Sequence, residues 1–194
     1  MNTLVLEQGP DGDEPMDVYQ KLANDRILFI TDQITDELAT DIVATLLLKD
    51  CEDTDKKITL FINSNGGDIR NVLMIYDVMT MLSSPIETVC IGSAMDEAVI
   101  LLAGGKKGMR LATSNAVIAV SQLVQNWHTS TNLTDGKNLL DQFVSDNNRM
   151  MHILSKATGK PVKTIRKDFA QQVFYKPLQA KAYGLIDKVI SPSK

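Results

Sequence analysis

Imidazole is scarce in this chain: His128 and His152 are its only two histidines, so any reaction that needs a proton carried near neutral pH has two positions to draw on. His128 falls in a polar stretch and His152 in a helical one, and both read as surface or interface side chains. Ser93 and Ser121 carry hydroxyls, but a serine becomes a nucleophile only beside a base, and neither has an evident histidine partner. They read as turn and strand residues. Cys51 and Cys90 stand alone, without CxxC spacing or a nearby His, which disfavours a metal site or a disulfide framework. No metal and no cofactor is expected. Two acids remain, Asp96 and Glu97, which follow Gly92-Ser93-Ala94 where a helix should begin, and a second glycine turn lies at Asn65-Gly66-Gly67. A carboxylate at the start of a helix accepts free backbone N–H groups and gains roughly 0.3–1 kcal/mol there.

Alternating elements must hold these turns. Ile27-Leu28-Phe29-Ile30 is a short apolar run of the kind that makes a buried strand. Thr35 is an N-cap candidate for the helix that follows, with Asp36 and Glu37 in its first turn and Leu38, Ile42, Val43, Leu46 and Leu47 on one face. A strand at Ile58 to Ile62 precedes the Asn65-Gly66-Gly67 turn, and a helix to about Leu82 turns Ile69, Val72, Leu73, Tyr76 and Met79 inward. Pro85 closes it. Ile86 to Ile91 is a third strand, and the helix after it ends at Gly104-Gly105, residues suited to a left-handed exit. Leu111-Ala112 and Val117 to Val120 read as further strands. A polar segment, Gln125 to Asp135, leads to a long helix over Asp135 to Ala157. Its apolar positions Leu139, Leu140, Phe143, Met150, Met151 and Leu154 are interrupted by Asp146-Asn147-Asn148-Arg149, which suits either a surface helix or one that projects to pair with a neighbour. At the other end, Glu7 to Asp17 is acidic and holds Gly9, Pro10, Gly12 and Pro15, which reads as a mobile loop. The alternation predicts the α/β class with a parallel sheet.

Composition narrows the field. At 194 residues one domain with a full core is the default, and 44% hydrophobic with 23% charged residues is ordinary for a folded soluble chain. A net charge of -4 without a basic run makes nucleic acid an improbable partner. Apolar stretches such as Ala98 to Ala103 are far shorter than the roughly 20 residues of a membrane span, and the first residues lack the pattern of a secretion signal.

Three local signatures carry a family resemblance. They are Asn63-Ser64-Asn65-Gly66-Gly67 between a strand and a helix, Gly92-Ser93-Ala94-Met95-Asp96-Glu97-Ala98 between the next strand and helix, and Ala180-Lys181-Ala182-Tyr183-Gly184-Leu185-Ile186-Asp187 near the end. The first resembles the INSPGG turn of the Clp protease proteolytic subunit, ClpP, and the last its AxxYGLID ending. Asp17-Val18-Tyr19-Gln20-Lys21-Leu22 resembles its DIYSRL segment. The similarity runs over nearly the whole chain in the same order. It implies one ClpP-like domain over 1–194, a ClpP/crotonase-like spiral of strand-strand-helix units, with 1–17 as a flexible axial segment and 122–157 as a handle region. It also implies two stacked seven-membered rings with the long helix interleaved between them, and a hexameric Clp ATPase as partner.

The same resemblance locates the chemistry of a serine peptidase, which needs a nucleophile, an imidazole, an orienting carboxylate and backbone donors for the oxyanion. The nucleophile's place in the family's GxASMG is Asp96, the imidazole's place in MIHQP is Ser121, and the orienting aspartate's place is Gln172. A carboxylate cannot be activated by a base as a hydroxyl can, and serine cannot shuttle a proton. The resemblance makes Gly67 and Glu97 the oxyanion donors, and Asp96 is expected to fill that site. The glycines of the family's QPLGG segment are replaced in Gln122-Leu123-Val124-Gln125-Asn126, a short insertion falls within 125–135, and Trp127 is a candidate plug for the substrate groove. The pocket that receives the ATPase loop corresponds to Phe61, Met81, Val89 and Ile91, all apolar. The implied protein is a catalytically silent, ClpR-like subunit that joins active ClpP subunits, in the cytoplasm or, for a processed plastid protein, the stroma. Two rivals are an active peptidase with a different residue set and a crotonase-like acyl-CoA enzyme with Asp96 or Glu97 as base.

Overall fold

The apolar runs lie side by side as parallel strands in a computed structural model, which describes residues 4–9, 12–124 and 132–191. In chain order the elements are β1 (Leu4–Gly9), β2 (Gly12–Asp17), α1 (Val18–Asn24), β3 (Ile27–Ile34), α2 (Asp36–Glu52), β4 (Ile58–Gly67), α3 (Ile69–Met81), β5 (Ile86–Met95) and α4 (Ala98–Gly104). They continue with β6 (Arg110–Thr113), β7 (Val117–Val120), α5 (Leu133–Thr158), α6 (Val162–Asp168), β8 (Val173–Tyr175), α7 (Pro177–Tyr183) and β9 (Lys188–Ile190). The main sheet runs β3-β4-β5-β6-β9, all parallel, and β5 has a further partner in β7, onto which β8 folds antiparallel. This is the mixed α/β arrangement that the alternation predicts.

β5 serves two neighbours in turn. Thr88 to Cys90 pair with β6, and Ser93 to Met95 pair with β7. Gly92 sits between the two stretches at φ 87°, a left-handed conformation that glycine adopts without penalty. A Cβ there would also strike the Asn63 side chain. The expected strand at Ile86 to Ile91 therefore extends to Met95, which carries it to the residues of chemical interest.

Helices cover the sheet through the faces that periodicity marks. Thr35 caps α2 by accepting the Leu38 N–H at 3.3 Å, and Ala39, Ile42 and Leu46 are buried, while Leu47 is turned outward instead of joining the face. In α3, Val72, Leu73, Ile75 and Met79 are buried. Ala98 to Ala103 are buried on every side, so α4 is the central helix. It does not leave through a left-handed glycine: Gly105 has φ −59°, and Gly104 and Gly105 are needed because a Cβ on either would crowd Tyr76 or Thr88. The left-handed exits belong to Gly159 after α5 and Gly184 after α7.

The segment Glu7 to Asp17 is not a loop. β1 and β2 pair antiparallel from Leu4 with Asp17 to Gly9 with Gly12. A two-stranded ribbon leaves half of its backbone groups unpaired, so Pro15 fits there as it would not in a central strand. The long helix begins two residues before the expected start, capped by the Asn132 side chain on the Asp135 N–H. Met150, Met151 and Leu154 are buried, whereas Leu133, Leu140 and Val144 are exposed. Its second half belongs to the core and its first half projects. Asp146 is itself buried, held by Gln142 at 3.0 Å and Arg149 at 3.5 Å.

Two buried arginines tie the periphery to this frame. Arg26 directs its guanidinium at the carbonyls of Lys49, Asp53, Lys56 and Lys57 and at Ser84 Oγ, joining the end of α2 to the loops on either side of α3 and β4. Arg110 pairs with Asp187 through Nε–Oδ2 at 2.9 Å and Nη2–Oδ1 at 2.7 Å, and donates to the Ala157 carbonyl at 3.1 Å. Desolvation raises the Asp187 pKa, but the hydrogen bonds from Arg110 and from the Gly108 N–H outweigh it and hold the carboxyl at about 2. A carboxylate with a depressed pKa stabilises the fold above its unfolded value near 4 and loses that contribution as pH falls through the folded value. Asp187→Asn, which strands a buried guanidinium, is expected to lose roughly 3–5 kcal/mol at pH 7. Urea unfolding of variant and parent checks this, and the difference should close as pH is lowered towards 2.

Candidate functional site

The ends of three strands meet at one point, and register dictates which residues arrive there. Met95 of β5 pairs with Ala119 of β7, and Val120 of β7 pairs with Val173 of β8. Asp96 thus leaves β5 beside Ser121 leaving β7, and Gln172 enters β8 opposite Ser121. The side chains confirm the meeting: Ser121 Oγ–H donates to Asp96 Oδ1 at 2.7 Å, and the Gln172 Nε2–H donates to the same oxygen at 3.5 Å. Asp96 also donates its backbone N–H to the Ala119 carbonyl at 2.8 Å. The three residues singled out in sequence form one cluster around a carboxylate.

Asp96 holds φ at 47°, in the left-handed region that few residues other than glycine enter. Aspartate and asparagine tolerate it best among side-chain-bearing residues. The turn is abrupt: Glu97, immediately after, is back in the right-handed region at φ −65° and ψ −28°. The consequence is that two adjacent carboxylates point to different partners. Asp96 faces Ser121 and Gln172, while Glu97 Oε2 accepts the Gly67 N–H at 3.3 Å. The expectation that Asp96 occupies the Gly67 and Glu97 donors is therefore corrected. Glu97 takes the Gly67 donor instead, because the left-handed turn at Asp96 swings the first carboxylate away and the second one in.

Gly66 makes room for this contact. At φ 102° it has a conformation suited to glycine, and a Cβ on it would collide with the Glu97 carboxylate. Ser64 steadies the turn by accepting the Gly66 N–H at 3.2 Å and donating to the Asp32 carbonyl. Burial raises the Glu97 pKa above its ordinary value of 4.5; its own N–H and that of Gly67 lower it, and the charges of Asp96 and Asp68 raise it further. Sequence reading offers the Glu97 side chain only as a base and misses its place on the Gly67 N–H, for which the one local signal is a glycine at 66 with space for an oxygen.

Other candidates lie apart. Ser93 Oγ is bound to Asn63 and Asn65 in the neighbouring turn, at 3.4 and 3.3 Å. Burial pushes the Cys90 thiol up to about 12, which keeps it neutral, and Cys51 is exposed. His152 is on the exposed side of α5. His128, Trp127 and, of the replaced segment, Gln125 and Asn126 fall within 125–131, outside the described residues. Among the described residues no three His, Cys, Asp or Glu side chains gather as metal ligands. Phe61 and Val89 are paired in register on the sheet face opposite α4, with Ile91 next along β5, and Phe61 stacks on Phe29 at 5.3 Å. Val89 is buried, and Met81 stands exposed at the end of α3, off that ladder.

Parallel strands whose ends converge on a strand-to-helix elbow, facing a glycine turn that offers a backbone N–H, make a mixed α/β fold consistent with that of ClpP. The Clp protease family matches residues 10–193, and the chain belongs to that family as a ClpP-like subunit.

The environment of Glu97 yields a pH-dependent expectation. A carboxyl whose folded pKa is raised lends stability in its protonated form, fully present below about 4.5 and lost as pH rises through the folded value. Glu97→Gln keeps the shape and the acceptor without the charge. It is expected to stabilise the chain at pH 7 and to lose that advantage by pH 4, as thermal melts at the two pH values would reveal.

Proposed function

We propose that this chain is a non-catalytic, ClpR-type subunit of the ATP-dependent Clp protease core. It assembles with active ClpP subunits into heptameric rings, docks a hexameric Clp ATPase, and serves protein degradation without cleaving peptide bonds itself. The observation that carries this reading is the cluster of Asp96, Ser121 and Gln172 at the ends of β5, β7 and β8. None of the three side chains is an imidazole, and the one hydroxyl, that of Ser121, donates to Asp96 Oδ1, so the cluster holds no nucleophile paired with a group that takes and returns its proton as the family's histidine does. Where such a triad is missing, binding and the oxyanion donors leave at best about 10³–10⁴-fold acceleration over water. Here the Gly67 donor is engaged by Glu97, which removes part of even that remainder.

Expression of the chain alone and beside an active ClpP, followed by mass measurement of the assemblies, tests the ring role. A mixed ring is expected; failure to enter any mixed ring refutes it. Purified alone, the chain should neither cleave a peptide substrate nor take up a serine-directed fluorophosphonate. Asp96→Ser by itself should stay silent, because nucleophile and base act as a unit. Cleavage by that single variant would mean that Ser121 does not stand in the base's place.

A further inference from the structure

The Glu97 carboxylate occupies an improbable position for a glutamate. It is half-buried, faces the like charges of Asp96 and Asp68, and makes no side-chain cap for α4. A long, flexible side chain with that surrounding would turn outward unless something held it. Two things do. The N–H of Gly67 donates to Oε2 at 3.3 Å, and the missing Cβ of Gly66 leaves a cradle that the oxygen fills.

We propose that Glu97 is the resident ligand of the Gly67 N–H, seated in the cradle that Gly66 leaves open, and that it closes this anion site to carbonyl oxygens from outside. The inference rests on the reading of the chain as a silent peptidase homologue and states what bars substrate from it. An N–H bonded to a charged acceptor is about twice as strong as one bonded to a neutral carbonyl. A substrate oxygen would therefore have to displace a better acceptor that is tethered to the site and never diffuses away. Losing the triad removes the chemistry; Glu97 removes the binding of the developing charge. The class of ligand that fits once Glu97 is truncated is a small carboxylate or the oxyanion of a tetrahedral adduct.

Two arms test this on the full chain. In the first, Asp96→Ser, Ser121→His and Gln172→Asp are combined, with and without Glu97→Ala, and fluorophosphonate uptake is followed by intact mass. Uptake is expected to be about 10²-fold faster with Glu97→Ala, the scale of one oxyanion donor; equal rates overturn the proposal. Should neither variant react, the second arm decides. A crystal structure of Glu97→Ala in the otherwise native chain, soaked in formate, should show formate on the Gly67 N–H, whereas native crystals treated alike should show the Glu97 carboxylate there. Formate absent from the variant, or Glu97 turned away in the native chain, overturns the proposal. Peptide cleavage by the native chain would instead refute the silent-subunit reading, so the two failures are distinguishable.

Discussion

The site depends on one strand changing partners. Were β5 to keep β6 beside it along its whole length, nothing would bring Ser121 and Gln172 to Asp96. At Gly92 the strand turns through φ 87°, the pairing passes from Ala112 to Val117, and β7 enters with β8 folded on its far side. Asn63 fixes the corner from β4, accepting the Ser93 N–H at 3.1 Å and occupying the space that a side chain at 92 would need. A three-residue offset in β5 thus sets the positions of residues about 25 and 76 apart from Asp96 in sequence. The cost of the irregularity is small because glycine carries it.

From that corner the chain handles two adjacent carboxylates by separating them. The left-handed conformation at Asp96 followed by a right-handed one at Glu97 sends one side chain to a hydroxyl and an amide, and the other to the Gly67 N–H. Each anion receives donors, which partly buried carboxylates require. The arrangement inverts the electrostatics of an acyl-transfer site. Oxyanion donors accelerate a reaction because they are oriented in advance and left open for charge that appears only in the transition state. Here the Gly67 N–H is oriented, and the Glu97 carboxylate already sits on it. The raised pKa of Glu97 records that even with this donor, desolvation and the neighbouring acids leave the anion short of full compensation.

Much of the frame was legible because its signals are local. Thr35 before Asp36 and Glu37, the apolar spacing of α3, and the wholly apolar Ala98 to Ala103 each announce an element without help from distant residues. The convergence of Asp96, Ser121 and Gln172 came through family resemblance, and sheet register explains why those three positions belong together. What escaped depends on tertiary geometry. The orientation of Glu97 follows from φ at its neighbour and from an empty Cβ position at Gly66, thirty-one residues earlier. Arg26 and Arg110 give no local sign of burial, since their partners, among them the Lys49 and Ala157 carbonyls near helix ends and the Asp187 carboxylate, come from distant elements. The opening segment was misread because glycine and proline were weighed as breakers, whereas a ribbon with an open edge accommodates both.

Assembly and chemistry are housed in different parts of this fold, and that separation gives physical sense to the proposed role. The cluster lies at the ends of β5, β7 and β8, while the largest run of exposed apolar side chains on one element, Leu133, Leu139, Leu140 and Val144, lies on the projecting half of α5. Members of this family form rings with Clp ATPases, and subunit faces in a closed ring must stay complementary or the ring fails to close. Changes at Asp96, Ser121 and Gln172 alter neither the α5 stripe nor the packing of Met150, Met151 and Leu154 that anchors the helix in the core. In the proposed role, a chain under no demand to cleave peptides can fill its own anion site without altering the exposed α5 stripe. The anchored half of α5 and the bridge from Arg110 to the Ala157 carbonyl at the end of that helix couple the projecting stripe to the sheet. The rigidity of the handle is then a property of the core, not of the vacated site.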